Sequence, residues 1–275
     1  MREPRSYSIE AIILKHTDLG EADRILTLFT PYKGKYRAIA KGVRRPISRK
    51  TGHLELLCHS RLQMALGRNL DIVTQAQGID TFPHVRSALW YMTCGFYLAE
   101  LLDRFIEDEN RHTDVYQLLL EALNALEADA LQNQLAEQGK VDQLHVRSQL
   151  LLRYFEINLL SFIGYTPVFG SCAHCDAELQ PVQNGVNVAL GGVVCPNCSH
   201  LWSYAISANV LKVLRILQRA AAWGMVPRLR LESRLLSQVE TVMHDLLRHH
   251  LERDLKSWSF LDMLDLGDHK GAPLQ

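Results

Sequence analysis

Four cysteines are the residues whose type and spacing point most directly to chemistry. Cys172-Ala173-His174-Cys175 is followed, after 19 residues, by Cys195-Pro196-Asn197-Cys198. Two thiolates three positions apart on a tight turn can reach one ion, and two such turns brought together complete the tetrahedral four-sulfur shell that Zn²⁺ favours. Cys172, Cys175, Cys195 and Cys198 are therefore the expected ligands of one zinc per chain. A shell closed by four thiolates leaves no position for water or substrate, so the ion would be structural, letting a short insert fold where no apolar core is available. His174 and His200 are alternative ligands on paper, and a pair of redox Cys-x-x-Cys motifs is the competing reading of the spacing.

The second constellation is cationic. Between Pro31 and Lys50 lie Lys33, Lys35, Arg37, Lys41, Arg44, Arg45, Arg49 and Lys50, with no carboxylate among them. Such a surface suits a phosphate backbone; a solvated face with a mobile loop is the plainer alternative. Tyr32 and Tyr36 could stack on bases, although Tyr36 fits a core position equally well. Lys212, Arg215 and Arg219 recur at helical spacing and make a secondary basic stripe, whose ordinary reading is an exposed helix face. The acidic sets Glu107, Asp108, Glu109 and Asp262, Asp265, Asp268 read as solvated helix ends rather than a Mg²⁺ site. No phosphate-loop, dinucleotide, His-Glu-x-x-His or Gly-x-Ser-x-Gly motif is present, which agrees with a binding protein rather than an enzyme.

These residues need elements to place them. From Ser8 to about Asp80 the apolar pattern has the period of strands, with candidates at Ser8–His16, Ala22–Thr30, Lys35–Lys41, Leu54–Ala65 and Leu70–Gln77. Five short strands in this length fit an OB-fold β-barrel, an SH3-like barrel being the alternative. Strand alternation puts Lys35, Arg37 and Lys41 on one face of the third strand, with the Gly42 to Gly52 connection beside it. After Pro83 the period becomes helical: Val85–Ile106, apolar on nearly every face; Thr113–Ala130, with Thr113 as N-cap; a polar loop or weak helix over Leu131–Val141; and Gln143–Ile163. Gly164-Tyr165-Thr166-Pro167 stops the helical run and opens the cysteine insert, in which residues 186–194 look like a strand pair. Helices resume after Ser207, a second N-cap, and over Glu232–Arg253; the tail Trp258-Ser259-Phe260-Leu261 should pack back on the bundle. The fold class is thus α+β multidomain, an N-terminal five-stranded OB-fold β-barrel followed by an α-helical bundle domain with an inserted four-Cys zinc finger. The expected domains are 1–81 for the barrel, 82–168 and 205–275 for the two parts of the helical domain, and 169–204 for the insert.

At 275 residues and 47 % hydrophobic, the chain can bury a full core and is not a disordered or miniature disulfide scaffold. Thirty basic and thirty acidic residues balance globally, yet the first 80 residues hold 14 basic and 8 acidic side chains and the remainder 16 and 22. Neutrality hides a basic front and an acidic back. The longest uncharged apolar stretch, residues 87–99, is too short to span a bilayer, and Cys58 and Cys94 stand alone in apolar surroundings; the expectation is a cytoplasmic protein with no membrane contact.

In the order of its parts the chain resembles the RecO family of bacterial DNA repair proteins, or recombination mediators. The resemblance is carried by residues 19–30, Leu-Gly-Glu-Ala-Asp-Arg-Ile-Leu-Thr-Leu-Phe-Thr; by Gly34 through Arg45, with Ala40-Lys41-Gly42 and trailing cations; and by Leu152-Arg153-Tyr154-Phe155-Glu156 leading to Gly164-Tyr165-Thr166-Pro167. The cysteine pairs and Leu247-Arg248 through Ser257 complete it. It implies binding of single- and double-stranded DNA, annealing of complementary strands without ATP, contact with the acidic C-terminal tail of single-strand binding protein, and work with RecR to load RecA in the RecF pathway, at the nucleoid. Carried onto this chain, the DNA contacts fall on Lys35, Arg37, Lys41, Arg44, Arg45 and Arg49, with Lys212, Arg215 and Arg219 as possible secondary contacts. The tail receptor would be an apolar groove flanked by cations on the helical domain, with Arg153 as a candidate. The competing classes are a zinc-containing nucleic-acid-processing enzyme and an assembly adaptor that does not bind DNA.

Overall fold

The computed structural model describes residues 6–135, 141–251 and 255–268. The described residues fall into two compact units, one drawn from Met1–Glu127 and Leu255–Gln275, the other from Ala128–Asp254.

The first unit begins with five strands: β1 (Ser6–Leu19), β2 (Asp23–Thr30), β3 (Gly34–Ala40), β4 (His59–Ala65) and β5 (Asp71–Asp80). They close a barrel in the order β1-β2-β3-β5-β4, antiparallel except where β3 meets β5, which is the OB arrangement. Closure depends on the length of β1. Its first half pairs with β4 and its second half with β2, and an irregularity between Ile13 and Lys15 turns the strand from one partner to the other. Alternation then selects the interior: Leu26 and Leu28 of β2, Tyr36, Ala38 and Ala40 of β3, and Leu62 and Met64 of β4 share one buried cluster with Ala11, Ile13 and Val73.

The fourth predicted strand starts later than its apolar pattern suggests. Thr51–His53 form a 3₁₀ turn, and Leu57 takes a left-handed conformation at φ 68°. Leu54 and Leu57 are buried from this turn rather than from a strand.

The predicted helix over Val85–Ile106 is two helices, α1 (Pro83–Ser87) and α2 (Leu89–Phe105), because Ala88 is extended. The Glu127 carboxylate accepts from the backbone N–H groups of His84 and Val85 and so caps α1. Glu127 lies on α3 (Thr113–Leu135), which runs past the predicted Ala130; the remainder of the expected loop, residues 136–140, lies outside the described residues. Thr113 is the first residue of α3 rather than its cap, and its hydroxyl donates to the Pro31 carbonyl. The expected packing of the tail is found: α7 (Lys256–Asp268) lies along α2, and Trp258 meets Tyr97 with ring centroids 5.8 Å apart.

The second unit holds α4 (Val141–Phe162), α5 (Ala208–Arg219) and α6 (Ser233–His250) packed on one another. Ser207 caps α5 as expected, accepting from the Val210 N–H. Between α4 and α5 the cysteine insert forms a small sheet of β6 (Asn184–Asn187), β7 (Gly192–Val194) and β8 (Tyr204–Ile206), ordered β7-β6-β8. The first two are the expected strand pair; β8 is an addition.

Candidate nucleic-acid interface and metal centre

On the barrel, β3 sorts its cations by what covers each one. Arg37 and Lys41 point outward and are exposed. Lys35 shares their parity but departs from the expectation, being 7 % exposed. The chain after α2 crosses it: the Glu109 N–H donates to the Lys35 carbonyl at 2.7 Å, while the Lys35 ammonium donates to the Asp103 carbonyl at 2.7 Å and lies 3.7 and 3.5 Å from the Asp103 and Asp108 carboxylates. This close crossing needs Gly34, where an added Cβ would fall 1.8 Å from the Asn110 carbonyl oxygen. The Lys35 charge is therefore neutralised inside the unit.

Beyond β3 the chain carries Arg44, Arg45 and Arg49, all exposed. Hydrogen bonds fix the connection at both ends. The Gly42 N–H donates to Asp23 Oδ1 at 2.7 Å and the Arg44 N–H to the Ala22 carbonyl at 3.0 Å; farther on, Lys50 Nζ bridges the Lys41 and Val73 carbonyls and Thr51 Oγ1 donates to the Val43 carbonyl. Burial pushes the Lys50 pKa down, in keeping with an ammonium that serves as a clamp. Arg44 also reaches the half-exposed Asp18 carboxylate at 3.3 Å, which Arg24 shares at 3.1 Å. Among the described residues, Arg37, Lys41, Arg45 and Arg49 have no carboxylate partner. Asp23 and Lys50 are the positioning residues that sequence reasoning missed; only their places beside Ala22 and at the end of the cation run hinted at them. Of the two tyrosines, Tyr36 is in the barrel core, and Tyr32 is exposed with Arg111 over its ring at 5.3 Å.

In the second unit the four cysteines come together. The Sγ atoms of Cys172, Cys175, Cys195 and Cys198 all lie within 4.8 Å of one another, with Cys175 and Cys195 at 3.7 Å. A tetrahedron with Zn–S bonds of about 2.3 Å has S···S edges of about 3.8 Å, so the donor set fits that ion. Two tight turns present the thiols: the Asp176 N–H donates to the Cys172 carbonyl at 3.0 Å, with Asp176 left-handed, and the Cys198 N–H to the Cys195 carbonyl at 3.0 Å. Burial would raise the Cys172 thiol, but N–H groups of Cys195, Cys175 and His174 directed at its sulfur bring it down to about 6. Burial and the neighbouring sulfurs push Cys198 up to about 12. Four thiols this close cannot all ionise unless a cation sits among them. His174 stands beside the set, its Nδ1 3.5 Å from Cys198 Sγ. Trp202 closes over β6 at Gly185, where a Cβ would meet the indole at 2.1 Å, and its Nε1 donates to the Cys195 carbonyl.

The remaining sequence-predicted residues are also placed. Lys212 and Arg219 of α5 are exposed. Arg215 instead donates to the carbonyls of Phe169, Gly170 and Leu179 at 2.8, 3.0 and 3.2 Å, fastening the cysteine insert to α5. Arg153 differs most from its expectation, being 1 % exposed. Its guanidinium pairs with Glu156 at 2.6 Å and with Glu240 of α6 at 2.9 Å, so it ties two helices together where a partner's carboxylate has no access.

An OB barrel that carries exposed cations, together with a four-thiol cluster of zinc-site geometry, is the composition of a nucleic-acid-binding class of protein. Residues 1–82 match the family model for the recombination protein O N terminal, and residues 86–137 and 139–259 that for the recombination protein O C terminal. A DNA repair protein RecO of Dehalococcoides mccartyi is 36 % identical over 269 residues, 98 % of this chain and all of the relative. One from Roseiflexus is 38 % identical over 260 residues, 94 % of this chain and 86 % of the relative; one from Desulforudis audaxviator is 33 % identical over 260 residues, 94 % and 96 % of the two chains. The chain belongs to the RecO family of DNA repair proteins.

Proposed function

We propose that this protein is a recombination mediator of the RecF pathway, which binds single- and double-stranded DNA by its phosphate backbone and anneals complementary strands without nucleotide hydrolysis. The observation that carries the reading is the set of exposed cations Arg37, Lys41, Arg44, Arg45 and Arg49, held on a barrel edge and its anchored connection. Lys35 is left out because its ammonium is already bound by Asp103 and Asp108.

Annealing follows from electrostatics. Two complementary strands repel through their phosphates, and a surface that neutralises both lowers that repulsion while raising their local concentration. No bond need be made or broken by the protein, so its role is binding rather than enzymatic. Lys212 and Arg219 would give a second strand further phosphate contacts, while Arg215 commits its Nε and Nη2 to three carbonyls of the insert.

The partners in this reading are RecR, the acidic tail of single-strand binding protein, and RecA indirectly, in the cytoplasm at the nucleoid. Arg153, buried and paired with Glu156 and Glu240, is left out of the proposed tail site. Zn²⁺, one per chain, would be held by Cys172, Cys175, Cys195 and Cys198 and supply only the cross-link that lets the insert fold. Mixing complementary labelled oligonucleotides with the protein, with no nucleotide present, tests the reading: duplex formation faster than in buffer is expected, and an unchanged rate under conditions where DNA is bound would contradict it.

A further inference from the structure

Ile47 is 88 % exposed, more than any other large apolar side chain among the described residues. A single exposed apolar residue is ordinarily unremarked, but this one stands apart by how it is presented. The Ser48 N–H donates to the Arg45 carbonyl at 2.9 Å, closing a β-turn with Pro46 at its second position and Ile47 at its third. The Arg45 N–H donates in turn to the Gly42 carbonyl, and the clamps from Asp23, Thr51 and Lys50 hold the base of the connection. Pro46 is exposed beside Ile47, and Arg44, Arg45 and Arg49 flank the pair.

A fixed turn therefore holds an apolar point in water between cations that flank it along the chain. Holding it there adds nothing to folding. It suits a polyanion whose interior is apolar, and isoleucine and proline are among the residues that proteins drive between stacked bases. Because the turn is already formed, insertion would order little new chain.

We propose that Ile47 inserts between neighbouring bases of a bound single strand while Arg44, Arg45 and Arg49 hold the adjacent phosphates; this rests on the phosphate-binding reading above.

The test uses the full-length protein and a single-stranded oligonucleotide carrying 2-aminopurine, whose fluorescence is quenched by stacking, with a dye-labelled copy for anisotropy. At saturation the wild-type protein should brighten the 2-aminopurine. Ile47→Ala should bind about tenfold to a hundredfold more weakly, the loss expected when a side chain of this size gives up its burial. Its salt dependence should be unchanged and most of the brightening lost at saturation, whereas Ile47→Leu should keep both. Binding by the wild type without brightening, or equal brightening by Ile47→Ala, would overturn the insertion and leave phosphate binding intact. Absence of binding at low salt would overturn both. The position is exposed, so none of these variants disturbs the core.

Discussion

At the scale of single residues, burial divides cations that look alike in sequence into two kinds. Lys35 and Arg153 are bound by carboxylates inside their units; Arg37 and Arg45 are exposed. Removing the first kind should cost stability, and removing the second kind should cost DNA affinity. Lys35→Met is expected to destabilise the protein by about 1–3 kcal/mol, since it strips Asp103 and the Asp103 carbonyl of a buried donor. Arg45→Ala should leave the urea midpoint unchanged and weaken oligonucleotide binding; equal destabilisation by the two variants would contradict the division. Asp129 gives a pH-dependent case. Its carboxylate is buried with one oxygen unpaired, and burial outweighs Arg147 at 3.2 Å to raise its pKa to about 6. A carboxyl with a raised folded pKa costs nothing only well below the unfolded value of about 3.9, where it is protonated in both states. The cost grows as pH rises from about 4 to about 6 and levels off above that, at about 3 kcal/mol for a shift of this size. Asp129→Asn should therefore stabilise the protein at pH 8, and its advantage should fade towards pH 4; a constant difference in melting temperature across that range would refute this.

At the scale of elements, two attachments depend on a few polar groups. The Glu100 carboxylate accepts from the backbone N–H groups of Lys256 and Ser257 and from the Ser257 hydroxyl, and so caps α7. Burial alone would raise its pKa, but these bonds and Arg104 hold it below the usual glutamate value. The depressed folded value means that this contribution is complete above the unfolded pKa and is lost as pH falls through the folded one. Glu100→Ala should cost about 1 kcal/mol at neutral pH, as other N-cap losses do, and free the tail to proteolysis. In the cysteine insert, a chelator or Cys195→Ser should unfold β6, β7 and β8, seen as lost amide protection there with barrel protection retained. Protection that survives chelation would mean that the sheet folds without metal.

What the sequence made legible follows the range of the interactions involved. The five barrel strands declared themselves by alternation, the Ser207 cap by its place before an amphipathic run, and the four-cysteine cluster by spacing, because each is a local signal. The break at Ala88, the left-handed Leu57 and the three-residue β8 were not legible, since packing partners distant in the chain decide them. The same applies to Lys35, whose parity on β3 follows from alternation while its cover, the chain at Asp103 to Asn110, lies some 70 residues away.

At the scale of the whole molecule, a chain with no formal net charge concentrates its excess of cations in the first 80 residues. Among the described residues no helix is long and apolar enough to cross a membrane. The central claim is that the exposed cations of the barrel edge take the phosphates, and an anisotropy titration of a labelled single strand across a salt series tests it most directly. If Arg37, Lys41, Arg44, Arg45 and Arg49 each neutralise one phosphate, log affinity should fall with log salt at a slope of about −3.5 whatever the sequence, and Arg44→Glu with Arg45→Glu should flatten it by at least about 1.4. A flat response in the wild-type protein, or an unaltered slope in the double variant, would contradict the claim.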